Sequence, residues 1–335
     1  IIPKNKNKNT LFIFLLVPNF FIFKKMRDFA SCFSENAIQT TSCSNYSNTS
    51  CFPQNSSTTP STQNNVTCLY NVILSNKKHL LIIVSWSKTN VSQTLYIQFG
   101  DNPSNSFKIS AISKKKKGKK SIEFDYDYDD HKKVEVFWDL CDARYNNMFG
   151  PEPIDKYYVV VTFDSEIVLS LGDIEEKKFK NYCNSMAKFS LVSRQEHFSG
   201  NTIYSTKAQF CENGSKHDIL ISCKGENEGK NIHQQYNYPV LSICIDKKMV
   251  IKVKRLQWNF RGNQSIFLDG LFVDLMWDVH DWFFNSTNSG CAVFMFRTRS
   301  GLESSRLWLE DKDKLTHKNQ DKVEFSFMIY ACKTT

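Results

Sequence analysis

Glycine and proline are scarce in this chain of 335 residues, which holds 12 of the first and 8 of the second. With so few glycines no Gly-rich phosphate cradle is present, and no G-x-S-x-G nucleophile elbow occurs. Closely paired cysteines are missing too. The eleven Cys lie at positions 32, 43, 51, 68, 141, 183, 211, 223, 244, 291 and 332, with no C-x-x-C spacing. A zinc site needs clustered ligands, so neither a metal nor a cofactor is predicted. The apolar stretch Leu11–Phe23 contains Pro18 and Asn19 and falls short of the ~20 residues a spanning helix needs.

What the chain does have is apolar and aromatic material. Hydrophobic residues make up 41% and aromatics 14%, with 27 Phe and 13 Tyr, enough for packed cores that lean towards strands. The net charge of +9 raises nucleic acid or anionic membrane as partners. Five of those charges belong to residues 1–25, which carry no acid, and +4 remains for the rest, outweighed by the basic residues of Lys114–Lys120 alone. No strong nucleic-acid signal follows. Cysteines such as Cys223, Cys244 and Cys291 alternate with apolar residues, and all are read as reduced core thiols of an intracellular protein, cytoplasmic or nuclear.

Residues 1–25 use only Ile, Pro, Lys, Asn, Thr, Leu, Phe and Val, the composition of an AT-rich leader read through in frame. Met26 is the expected start; recovery of residues 1–25 by peptide mapping of native protein would refute this. The competing reading makes residues 11–23 a signal or anchor, and the protein secreted or membrane-associated. Only then would the eight N-x-S/T sequons, at Asn45, Asn48, Asn55, Asn65, Asn90, Asn213, Asn263 and Asn285, matter. Residues 26–65 are rich in Ser, Thr and Asn, and their low apolar content predicts a flexible arm.

From Val66 onward short strand-like runs alternate with turn residues, and one helical stretch is predicted near 174–186, where Phe179, Cys183 and Met186 recur at helical spacing. The strongest internal signal is a repeat. V-E-V-F-W-D-L-C-D at 134–142 matches V-D-L-M-W-D-V-H-D at 273–281, and the flanks agree in order. Val134, Val136 and Trp138 share a face, as do Val273, Leu275 and Trp277. The expected fold is mainly β, with two tandem homologous antiparallel β-sandwich or barrel-like domains at 66–199 and 200–333. Asp269-Gly270 signals a tight hairpin, and in the first half an extended acidic loop, Asp125–Lys133, is expected in its place.

Several long segments resemble a plant family known only as domain of unknown function 868. They are M-R-D-F-A-S-C-F-S-E-N (26–36), K-V-E-V-F-W-D-L (133–140), G-P-E-P (150–153), V-S-R-Q-E-H (192–197), V-K-R-L-Q-W-N-F-R-G-N-Q (253–264) and D-G-L-F-V-D-L-M-W-D-V-H-D-W (269–282). The resemblance supports Met26 as the start and implies no activity, cofactor or catalytic residue. The chain departs from the family's pattern at Asp125–Asp130 and in the Lys-only run before it.

Four groups of residues are candidates for function. Lys114, Lys115, Lys116, Lys117, Lys119 and Lys120 could form a localisation signal or an anionic-lipid patch on a loop, with the acidic run Asp125–Asp130 as a possible counterweight. Lys254, Arg255 and Arg261, with Lys252, Trp258 and Phe260 nearby, repeat that basic character in the second half. Asp278 and His280 could share a strand face as an acid–base or metal pair; against this, the first half has Cys141 where the second has His280. The simpler reading of Trp138, Asp139 and Asp142, and of Trp277, Asp278 and Asp281, is structural: the Trp fills a core and the Asp accepts turn hydrogen bonds. Arg194 and Glu196 alternate onto one face, where a surface ion pair is expected. The expected function is a non-enzymatic binding or scaffold protein whose partner, a protein or an anionic lipid surface, the sequence does not name. The alternatives are peripheral binding to an anionic lipid surface through Lys-rich loops, and an enzyme using Asp278 and His280.

Overall fold

The computed structural model describes residues 61–89, 92–100, 105–110, 116–127, 130–145, 150–173, 185–200, 203–228, 236–284, 290–299 and 324–332, and the side chains of 110, 124–132 and 224–238 lie outside that description. The expected leader, the arm before residue 61 and residues 174–184 of the expected helix fall outside the described residues. No described helix is long and apolar enough to cross a membrane.

The chain is mainly β. A meander opens it: β1 (Thr62–Ile73), β2 (His79–Lys88), β3 (Gln93–Phe99) and β4 (Ser106–Ser110). A second group follows, with β5 (Lys117–Asp127), β6 (Asp130–Asp139), the short pair β7 (Arg144–Tyr145) and β8 (Pro153–Asp155), β9 (Tyr158–Phe163), β10 (Glu166–Gly172) and β11 (Ser185–Met186). The long strand β12 (Lys188–Ser199) leads to a second meander, β13 (Ile203–Gln209), β14 (Lys216–Glu228), β15 (Tyr236–Ile245) and β16 (Lys248–Val253). Then come β17 (Arg261–Leu268), β18 (Leu271–Asp278), the helix α1 (His280–Phe284), β19 (Cys291–Thr298) and β20 (Ser326–Cys332). Of the segment expected to be helical only Ser185 and Met186 are described, and they are strand; the one described helix lies at His280–Phe284. The extended acidic loop expected at Asp125–Lys133 is corrected: β5 runs to Asp127 and β6 starts at Asp130, and the two strands pair antiparallel as far as those residues.

One nine-stranded sheet, in the order β17-β18-β19-β20-β12-β1-β2-β3-β4, runs through both halves of the sequence. A five-stranded sheet (β11-β10-β9-β6-β5) and a four-stranded sheet (β13-β14-β15-β16) complete the layers. Period-two burial explains why these segments are strands: Val273, Leu275 and Trp277 of β18 are buried while Asp274, Met276 and Asp278 are only partly so. One apolar core joins β1–β4 to the five-stranded sheet, through residues such as Trp86, Phe99, Val136 and Trp138. The other joins β17–β20 to the four-stranded sheet, through Tyr204, Phe210, Leu275 and Trp277. β12 is the junction. It pairs antiparallel with β1 on one side and parallel with β20 on the other.

Tight turns set the registers. Asp164-Ser165, Asp246-Lys247 and Asp269-Gly270 each place two successive residues at positive φ, the mirror-image turn that follows the twist of paired strands. The reading of every cysteine as a reduced thiol is also corrected. Cys291 and Cys332 are direct partners across β19 and β20, with Cα atoms 4.2 Å apart, and form a disulfide. Cys244 is disulfide-bonded as well. Cys68 remains a free buried thiol, and burial pushes its pKa up to about 12.

Candidate functional site

The Lys-rich segment is not the loop it was expected to be. Lys114 and Lys115 lie outside the described residues, whereas Lys117, Lys119 and Lys120 belong to β5, at the edge of the five-stranded sheet. Lys117 reaches Asp139 at 2.7 Å, Lys119 reaches Glu135 at 2.9 Å, and Lys133 reaches the same Glu135 at 2.6 Å. The Lys133 and Lys119 ammonium groups hold Glu135 down to about 2. Lys120 sits over the Phe107 ring and Lys119 over Phe137. The described carboxylates that meet these lysines therefore come from β6 itself, so much of the segment's charge is answered within its own sheet.

The Trp-Asp motif stands in the same setting in each half. Trp138 is the cross-strand partner of Gly118, and Trp277 of Gly262. A methyl group on Gly118 would come within 2.7 Å of the Trp138 ring, and one on Gly262 would meet the Trp277 ring closer still. Only glycine lets each indole lie flat across the neighbouring strand. Beside it Lys117 pairs with Asp139, and Arg261 pairs with Asp278 at 3.0 Å. The Cys141 N–H donates to Asp139 Oδ1 at 3.2 Å, as the His280 N–H donates to Asp278 Oδ1 at 2.9 Å. The next backbone bonds also correspond: Leu140 N–H to Lys116 O and Val279 N–H to Phe260 O, both 2.8 Å. The last Asp of each motif differs: Asp142 is exposed on a bend, whereas Asp281 lies in α1.

His280 does not share a strand face with Asp278. It opens α1, where its Nδ1 lies 3.1 Å from Asp281 Oδ1 and its ring packs between Phe260 and Phe284. Its only described contact with Asp278 uses its backbone N–H. Among the described residues no group of three His, Cys, Asp or Glu side chains could hold a metal ion.

The adjoining loop between β16 and β17 carries Lys254 and Arg255, and Arg261 opens β17. Leu256 plugs the core at 0% exposure and its N–H donates to Pro239 O at 3.0 Å. Arg255 turns the chain at positive φ and its carbonyl accepts the Trp258 N–H. The Trp277 indole N–H donates to Asn259 O at 3.1 Å, and the Asn259 side chain bonds back to Lys254 O at 3.0 Å. The loop is thus tied at both ends, yet it holds Trp258 78% exposed, the most exposed of the large apolar side chains described. Lys254 and Arg255 are exposed beside it, and Phe260 packs edge-on against the half-exposed Phe284. Trp258 was noticed in the sequence only as a neighbour of basic residues. Its exposure is set by where Leu256 anchors the turn, which no local pattern reveals.

Arg194 and Glu196 share a face and lie 2.7 Å apart, but their pair is buried rather than superficial. Glu196 is 0% exposed. Arg194 also grips Glu152 with two bonds, of 3.1 and 2.6 Å, so the G-P-E-P and V-S-R-Q-E-H segments meet here. Their neighbours across β12 are Cys68 and Val66 of β1 and Phe327 and Ile329 of β20, which places the cluster between the two cores. Burial disfavours the Arg194 charge, but Glu152 and Glu196 outweigh it and hold its pKa well above the usual value. Burial raises Glu196 despite Arg194 and a hydrogen bond with the Thr206 side chain.

A second buried polar group ties turns together. His217 lies 2.6 Å from Asp246 and 3.0 Å from Asp269, on its two ring nitrogens. Asp246 belongs to the β15–β16 turn and Asp269 to the β17–β18 turn, so the imidazole bridges the two layers of this half. Burial opposes its protonation, but the two carboxylates prevail and raise its pKa.

These features define a mainly β protein with two apolar cores, ionic fastenings between strands and layers, and an exposed basic-aromatic loop. The chain belongs to the family described as plant protein of unknown function (DUF868), whose model matches residues 61–333. No curated protein and no solved structure matches it.

Proposed function

We propose that the chain is a non-enzymatic binding or scaffold protein built from two copies of one β-unit. The correspondence of Lys117-Gly118 opposite Trp138-Asp139 with Arg261-Gly262 opposite Trp277-Asp278 supports the duplication. The observation that carries the binding role is Trp258. Leaving an indole in water forgoes about 2–3 kcal/mol of burial, and a loop fastened this firmly does not expose it through slackness. Aromatic and Arg side chains together are also what binding surfaces concentrate. A second reading, peripheral binding to anionic membranes, draws on Lys254 and Arg255 rather than on the strand-bound lysines.

The test is capture from plant extract on immobilised parent and Trp258→Ala chains, with mass spectrometry of retained proteins and lipids. At least one species should fall about tenfold on the variant, a loss of about 1.4 kcal/mol. Identical retained sets would reject the reading.

A further inference from the structure

We infer that His217 is a proton-operated latch, which clamps the β17–β18 turn onto the four-stranded sheet while charged and releases it on losing its proton. The latch goes beyond the binding reading above and stands without it. Three turns meet at this ring: β13–β14, β15–β16 and β17–β18. His217 Nδ1 lies 2.6 Å from Asp246 Oδ2, and Nε2 lies 3.0 Å from Asp269 Oδ2. A carboxylate only accepts hydrogen bonds, and a neutral imidazole has a single N–H to give. Both contacts are hydrogen bonds only when the ring is an imidazolium, so the closed arrangement selects the charged form by its geometry. The carboxyls are set to match. Burial pulls Asp246 up, but His217 and the Asp218 N–H prevail and lower it, and the hydrogen bond from His217 lowers Asp269.

The two carboxylates are not held alike. Asp246 gives one oxygen to the ring and the other to the Asp218 N–H at 3.0 Å. Asp269 uses the single oxygen Oδ2 for both the ring and the Ser215 N–H at 2.9 Å. That oxygen is also wedged against the β13–β14 turn, where a methyl on Gly214 would meet it at 2.6 Å. A neutral ring keeps its proton on Nδ1, the shorter contact, and turns the Nε2 lone pair on Asp269. Repulsion at so crowded an oxygen drives the β17–β18 turn outward. Other charges surround this corner. Lys216 and Asp218 flank the ring on β14, and Asp218 pairs with Lys207 of β13 at 3.2 Å. Lys248 of β16 acts on Asp246, while Cys211 and Glu212 lie in the β13–β14 turn. From the facing sheet, Phe296 and Phe325 come next, packed through Phe210.

The turn is placed where it can lift. β17 stands last in its sheet among the described strands, bonded to β18. Leu268 and Leu271 pack inward on the core, and Phe267 and Phe272 pair edge to face at 5.4 Å. Opening uncovers the two leucines, so apolar surface appears as pH rises. The sign follows from the ring. Burial opposes its charge, but the two carboxylates outweigh burial and raise its pKa. A group raised in the closed form favours closure below its ordinary pKa and loses that hold as pH climbs through the raised value.

The test is hydrogen exchange of the full chain between about pH 5.5 and about pH 8.5, expressed as protection relative to unstructured peptide. Protection of the Leu268–Phe272 amides should fall about tenfold or more, the worth of one charge-assisted hydrogen bond. The midpoint should coincide with loss of the second ring proton of His217, followed by nitrogen NMR. At alkaline pH these amides should exchange ahead of those of β2 and be nearly indifferent to low urea, the mark of local opening. His217→Gln should show low protection there at both pH values. Asp269→Asn, whose amide can donate to a neutral ring, should keep the turn closed at alkaline pH, and it decides the matter if His217→Gln does not fold. A fall that is absent, that persists in either variant, or that proceeds only with global unfolding overturns the latch. So does opening of the β15–β16 turn in place of β17–β18.

Discussion

Removal of the Arg194 guanidinium should expose the cost of the junction between the two cores. Arg194→Met keeps the length and apolar stem of the side chain and deletes its bonds to Glu152 and Glu196. Glu152, about a third exposed, can turn to water; Glu196, at 0%, cannot. Uncompensated burial of a charge costs about 3–5 kcal/mol when its partner is removed. Glu196 has a cheaper exit, because it can take a proton. Keeping a carboxyl of ordinary pKa 4.5 neutral at pH 7 costs about 3.4 kcal/mol, which caps this contribution. Burial has already raised Glu196 in the parent, so part of that cost is present before substitution. The expected loss is about 2–3 kcal/mol at pH 7, read from urea unfolding of parent and variant. The sign of the pH dependence is fixed: a carboxyl raised above its unfolded value binds its proton more tightly when folded. Its penalty therefore grows as pH rises above about 4.5 and fades as pH falls. Adding Glu196→Gln to the variant should restore most of the loss. A stability within about 0.5 kcal/mol of the parent, or a penalty that does not shrink towards acid pH, would refute this account of the junction.

Gly118→Ala and Gly262→Ala should each destabilise by about 1–3 kcal/mol, since the added methyl meets a buried indole that cannot move aside; a neutral effect at either site would break the equivalence of the two Trp settings. For the bridge at His217, the raised imidazole contributes stability that is complete below about pH 6.5 and lost as pH climbs through its folded pKa. Asp246 and Asp269, both lowered, contribute stability present above about pH 3.8 and lost on further acidification. The stability difference between parent and His217→Gln should peak between these limits and narrow above neutrality; a difference independent of pH would remove the charged bridge.

Local pattern made most strands readable. Alternation in Val134–Trp138 and Val273–Trp277 depends on neighbours two residues apart, and the core consumes that alternation directly. What depends on distant partners was hidden. Lys117–Lys120 looked like a loop because isolated lysines are poor strand formers, yet Glu135 and Asp139 across the hairpin reward extension. The five residues of α1 are too few for a helical period to register. Cys291 and Cys332 stand 41 residues apart, and their union follows only from the β19–β20 register. Arg194 and Glu152 were both present in recognisable segments, 42 positions apart, with nothing in either to name the other.

One sheet passes through both halves of the chain by way of β12, and native-state hydrogen exchange is the sharpest check on that continuity. The amides of Ser193–Ser199, flanked by β1 and β20, should exchange only through global unfolding, in the slowest class with those of β2 and β18. Exchange of β12 by local opening, while β2 and β18 stay protected, would mean that the halves are separate sandwiches and would contradict the account.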